Sequence, residues 1–157
     1  MRTLIDSVFV TTLSGWLGSA VFFSGLVLPT LFINLEPAVA GEIATLIFPL
    51  YYRFGLACGL ILLGACVVAA RHETTTAGSV RVGWWAAVAT VALMLLCQAY
   101  AELVIRPEMS EIRVLADARP AFDALHRLSV RLNAVVLAGG LALAAGSGFL
   151  LGRRGAG

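Results

Sequence analysis

The chain is predicted to be an all-α integral membrane protein, a single four-helix transmembrane bundle over residues 1–157 with both termini cytoplasmic. Three observations predict it. Hydrophobic side chains make up 60% of the sequence and charged ones 13%, against roughly half and about a quarter in soluble domains. Hydropathy separates four apolar runs, at residues 8–32, 54–70, 82–101 and 132–151, each close to the ~20 residues that cross a bilayer as a helix. The links between them are short and leave little chain for a soluble domain.

The first run follows Arg2 and stays apolar through Phe32, longer than the core of a cleaved signal, so it reads as a retained helix. Its small residues, Gly15 with Ser19 and Ala20 with Ser24, stand four apart, a spacing that lets helix backbones approach closely in lipid. After Pro37, the stretch AVAGEIATLIFPLYYRFG joins helix formers to an apolar periodicity that flows into the second span, with Pro49 an expected kink. The third run opens with Trp84 and Trp85, and Tyr51, Tyr52 and Tyr100 lie near the opposite boundary. Such rings favour membrane interfaces, so they are expected to anchor the bundle there. In the fourth run Gly140, Ala144 and Gly148 form one small-residue stripe, and Ala138, Ala142 and Gly146 form a second. One stripe serves the bundle and the other is expected to serve a homo-oligomer contact. Cys58, Cys66 and Cys97 all fall inside spans without CxxC spacing, and are read as small hydrophobes rather than a disulfide framework.

Arg2, the Arg71 and Arg81 pair around the second link, and Arg153 with Arg154 place those regions on the cytoplasmic side by the positive-inside rule. The link from Asn34 to Glu42 carries Glu36 and Glu42 and no arginine, which fits the opposite side. The second outer link mixes five arginines with Glu108, Glu111, Asp117 and Asp123. Within it Arg119, Asp123, Arg127 and Arg131 recur every four residues and can form a ladder of exposed ion pairs, on what is expected to be a solvated face extending the fourth helix outward rather than a binding site. A multi-pass protein of the bacterial inner membrane is the localisation this pattern predicts. An internal echo accompanies it. Pro29 and Arg53 are separated by 24 residues (29 to 53), as are Pro107 and Arg131 (107 to 131), the arrangement two parallel helix hairpins would give.

Residues 122–133, FDALHRLSVRLN, place His126, Ser129 and Asn133 at i, i+3 and i+7, one face of a helix entering the membrane. Gln98, Glu102 and Arg106 line one face of the third helix at i, i+4 and i+8, and Arg53 and Arg131 enter at a similar depth from the second and fourth. Polar groups at membrane depth are costly unless they face protein or water. These eight residues are therefore expected to form an outward-facing vestibule that binds or passes a small solute, or else to hydrogen-bond one another and fix the bundle. Metal chemistry is poorly supplied, because His126 is the only candidate ligand near the spans and zinc needs three or four. Haem requires one good axial histidine, so a haem-binding redox protein using His126 is the alternative function, with an accessory subunit of a larger membrane complex another. No Gly-rich phosphate loop, HExxH or GxSxG occurs, and no enzymatic activity is predicted. No basic stripe interleaved with aromatics suggests a nucleic-acid partner; the expected surroundings are the lipid bilayer and further copies of the chain.

Three segments carry a family resemblance: WLGSAVFFSGLVLPTLF, LEPAVAGEIATLIFPLYYRFGL and LHRLSVRLN. With Trp16, Gly18, Phe22, Phe23, Pro29 and Phe32, then Ala40, Gly41, Phe48, Pro49, Tyr51 and Tyr52, they resemble the transmembrane protein 205-like family over nearly the whole chain. The resemblance implies a compact four-helix membrane protein and points to export or trafficking of metal-containing or cationic solutes. More distantly the chain is similar to copper-resistance D proteins and to haem-binding membrane protoporphyrinogen oxidases, from which it departs in having one membrane-proximal histidine and few soft ligands beside it.

Overall fold

The computed structural model describes residues 2–72, 78–112 and 119–152; Asp117, Arg153 and Arg154 lie outside them. Four helices, Arg2–Asn34, Pro37–His72, Gly78–Ile112 and Arg119–Gly152, are each long and apolar enough to cross a membrane. Their number, length and composition are consistent with a multi-pass helical membrane protein. No strand occurs among the described residues.

The helices run 33 to 36 residues, about 50 Å at 1.5 Å per residue, so they exceed a ~30 Å hydrocarbon core and continue past the apolar runs. Leu35 ends the first helix in an extended conformation, and Pro37 starts the second at a position where its missing N–H costs nothing. The second helix continues unbroken through Pro49. Links this short force antiparallel neighbours. The first helix packs on the second and fourth, and the third packs on the same two, closing a four-membered ring. The end opposite the chain termini is called distal below.

Buried positions recur at alternating steps of four and three. On the first helix they are Phe9, Leu13, Trp16, Ala20 and Phe23; on the third, Val80, Trp84, Ala87, Val91, Met94, Gln98, Ala101 and Ile105, with Cys97 and Glu102 buried beside that stripe. An average step of 3.5 residues is the signature of left-handed bundle packing. Large apolar side chains such as Ile33, Leu46, Leu60, Leu96 and Leu103 are exposed, as lipid-facing positions should be.

Two helices contain one wide turn each. At Phe23–Val27 and at Ala101–Ile105 the backbone bonds at i to i+5: the Leu28 N–H donates to the Phe23 carbonyl, and the Arg106 N–H to the Ala101 carbonyl. Pro29 and Pro107 each stand two residues beyond the turn. Proline lacks an N–H and its ring crowds the carbonyl four residues back, and one extra residue in the turn accommodates both problems. The echo of Pro29 with Arg53 and Pro107 with Arg131 thus has a backbone counterpart.

Several expectations change. Trp84 is fully buried and meets Phe9 edge-on, with ring centroids 5.2 Å apart; only Trp85 faces outward. Tyr51 and Tyr52 are buried as well, while Tyr100 is exposed. Their rings are thus core rather than interface anchors, because both sit on the face the second helix turns toward its neighbours. Arg119, Asp123 and Arg127 are exposed and make no ion pairs with one another or with Arg131, since nothing in solvent holds such long side chains together.

Candidate functional site

The distal half of the bundle interior sets a few polar groups among the apolar and aromatic cluster of Ala20, Phe23, Tyr51, Tyr52 and Ala101. The polar groups form three small networks above the apolar core of Leu62, Cys66, Trp84 and Val91.

The deepest joins diagonal helices. The Trp16 indole Nε1 donates to Gln98 Oε1 at 3.0 Å, and Gln98 Nε2 donates to the Tyr52 carbonyl at 3.3 Å. Trp16 is 1% exposed and Gln98 3%, so these bonds form away from water. Two glycines on the second helix make the indole's bed. A Cβ on Gly55 would overlap the Gln98 amide and lie 2.9 Å from Trp16 Nε1, and one on Gly59 would lie 2.9 Å from Trp16 Cη2. Gly55 and Gly59 are one helical turn apart, and the flat indole lies across both.

The second network ties three helices. The Tyr51 hydroxyl donates to Asn133 Oδ1 at 2.7 Å, and Asn133 Nδ2 donates to Ser24 Oγ at 2.9 Å. Ser24 lies in the first wide turn, beside Phe23, whose ring stacks on Tyr51 with centroids 4.5 Å apart. Phe48 closes this aromatic group against Phe23 and Tyr52.

The third carries the charge. Glu102 lies in the second wide turn and is 5% exposed. Arg106 holds it with both prongs, Nε to Oε2 at 2.6 Å and a terminal guanidinium nitrogen to Oε1 at 3.2 Å, the strong bidentate form of a carboxylate pair. Arg53 approaches the same Oε1 from the second helix at 3.8 Å, with its side chain 71% exposed. Glu102 therefore has one tight cationic partner and one loose one.

The predicted site residues divide accordingly. Arg53, Glu102 and Arg106 come together; Gln98 and Asn133 each anchor a neighbouring network. His126 does not join them. It is exposed on the distal part of the fourth helix, with its ring parallel to Phe122 at 6.4 Å. Ser129 donates to the His126 backbone carbonyl on its own helix, and Arg131 is exposed. Among the described residues no group of three or more His, Cys, Asp or Glu side chains could hold a metal ion. The small-residue stripe also divides: a Cβ on Gly140 would meet Leu17 at 3.0 Å, whereas Gly148 has nothing near it and Ala144 is exposed. Trp16, Ser24, Tyr51, Tyr52 and Gly55 were not among the predicted site residues. Trp16 had one readable signal, a lone tryptophan in the middle of a span rather than at its edge.

Among known proteins, the model for DUF4149, a domain of unknown function, matches residues 11–118. No curated protein and no solved structure matches the chain.

Proposed function

The chain belongs to the DUF4149 family, and from that premise we propose that it is a membrane protein which binds, and passes, a small cationic solute at Glu102. The observation that carries this reading is the loose second cation on a buried carboxylate. Arg53 is solvent-exposed and stands 3.8 Å from the carboxylate oxygen, outside hydrogen-bond range, so its contact resembles a surface pair worth about 0–1 kcal/mol, and an incoming ammonium, guanidinium or cationic metal complex replaces it at little cost. While the solute is bound, Arg106, held in a bidentate pair, stays and keeps the carboxylate oriented. Tyr52, Gln98 and Trp16 support the floor beneath this position, and the Ser24, Tyr51 and Asn133 network closes its side.

In this reading the distal end faces outward, both termini are cytoplasmic and the membrane is the bacterial inner membrane. The resemblance to the transmembrane protein 205-like family supports the cationic class of solute. Assembly into a homo-oligomer uses the part of the fourth helix where Ala144 and Gly148 are open.

Calorimetry with guanidinium and methylammonium chlorides on protein in nanodiscs tests the site. Saturable binding is expected in the wild type and is lost in Glu102→Gln. Arg53→Ala removes the resident competitor and tightens binding about two- to fivefold, the factor that corresponds to a surface pair worth up to about 1 kcal/mol. Absence of saturable binding in both the wild type and Arg53→Ala overturns the proposal.

A further inference from the structure

Each wide turn does two things at once. It breaks the α-helical register just before a short distal segment, Leu28–Asn34 on the first helix and Arg106–Ile112 on the third. It also carries, as its second residue, the polar side chain that ties its own hairpin to the other: Ser24 to Asn133 of the fourth helix, Glu102 to Arg53 of the second. Each distal segment packs on the next helix in the chain, the first segment on the second helix and the third-helix segment on the fourth. Two of the ties between hairpins thus lie at the breaks, beside those of Trp16 to Gln98, Gln98 to Tyr52 and Tyr51 to Asn133, and the segments beyond the breaks pack on their own hairpins.

The breaks are also where the backbone is least held. The donor that an α-helix would offer the Ser24 carbonyl is spent on Phe23, and the next residue, Pro29, has no N–H. At Glu102 the same two losses recur, through Arg106 to Ala101 and through Pro107. Elsewhere the bundle is pinned, with Trp16, about two turns before the first break, bonded across its axis to Gln98, about one turn before the second.

We infer that the two wide turns are a paired hinge by which the distal segments swing as a matched set, lifting Arg106 from Glu102 and opening the carboxylate. Adding or removing one residue of helical register turns the segment beyond it by about 100° and shifts it by about 1.5 Å. That rotation carries the Arg106 guanidinium off the Glu102 oxygens, since the bidentate pair is made across the turn itself. Trp16 and Gln98 act as the fixed pivot. The inference rests on Glu102 as the solute position, and it makes solute exchange a hinge-limited event.

The test uses the full chain in nanodiscs, with spin labels on Glu36→Cys and Glu111→Cys at the two distal segment ends and Cys58, Cys66 and Cys97 replaced by alanine. Electron-electron resonance is expected to show two distance populations, and saturating guanidinium shifts their ratio. Deleting Val104, an exposed residue inside the second wide turn, restores a plain α-helix without altering its flanks, and the second population is lost. Should the deletion fail to fold, Pro107→Ala supplies the missing donor and is expected to give the same loss. A single narrow distance in the wild type overturns the hinge, as does a second population that survives in the folded deletion or in Pro107→Ala. Two populations that guanidinium leaves unmoved, together with no calorimetric binding, leave the hinge standing and defeat the solute assignment instead.

Discussion

Replacing Gly55 with alanine sets helix propensity against packing. In an isolated helix the change is favourable by about 1 kcal/mol, because alanine loses less backbone freedom than glycine. In the bundle the added methyl would occupy the space of the Gln98 amide and stand 2.9 Å from Trp16 Nε1. Both hydrogen bonds of that network, Trp16 to Gln98 at 3.0 Å and Gln98 to Tyr52 at 3.3 Å, must then lengthen or break. Interhelical hydrogen bonds in membranes contribute about 0.6 kcal/mol each, reaching about 1.7, so two of them account for about 1–3 kcal/mol. Displacing well-packed side chains adds about 1–3 kcal/mol. Subtracting the propensity gain leaves a net loss of about 1–5 kcal/mol. Unfolding in mixed micelles, followed by tryptophan fluorescence, measures it directly, and Trp16 reports its own displacement by a spectral shift. Gly55→Ala combined with Gln98→Leu should lose less than the sum of the two single changes, because they remove the same bonds. A Gly55→Ala protein as stable as the wild type, with unshifted fluorescence, would refute the reasoning.

Gly64→Ala is the matched control: nothing lies within 4 Å of its Cβ position, so it should unfold at or slightly above the wild-type denaturant midpoint, and a loss near that of Gly55→Ala would show that glycine flexibility, not space, matters on the second helix. Gly140→Leu is expected to lower the stability of the monomer, because its Cβ already meets Leu17 at 3.0 Å, whereas Gly148→Leu should leave monomer stability unchanged and alter only the mass measured in detergent; reversed effects would move the subunit contact into the bundle. His126→Ala should change neither melting temperature nor guanidinium binding, while Asn133→Ala should reduce stability by about 1–3 kcal/mol through the unpaired Tyr51 hydroxyl. Equal melting temperatures for these two variants in a fluorescence scan would count against the Asn133 network.

The four spans were legible because an apolar run of membrane length has one physical interpretation, and the register of Gln98, Glu102 and Arg106 was legible because charge and amide groups are rare there. Which way each face points was much harder to read. In water, hydrophobicity separates the inside of a helix from the outside; in lipid the surroundings are as apolar as leucine, and that contrast disappears. Trp84, Tyr51 and Tyr52 accordingly read as interface rings although they are buried, and exposed Leu60 is chemically indistinguishable from buried Leu62. Residues 126, 129 and 133 share a face by spacing, yet Asn133 is bonded into the bundle by Tyr51 and Ser24 while His126, about two turns further out, is exposed.

What remains readable in a membrane helix is size and backbone chemistry. Pro29 and Pro107 lie where the two wide turns form, and their matched spacing to Arg53 and Arg131 was visible without coordinates. Gly55 and Gly59, one turn apart on the second helix, lie where Trp16 of the first needs a flat bed. In a lipid-facing helix neither glycine would have a reason to be small, and in this bundle each has a specific heavy atom within 3 Å of the methyl it lacks. Glycine and proline therefore carry the positional information that hydrophobicity loses in lipid, and the polar networks at Gln98, Glu102 and Asn133 form at the places those residues define.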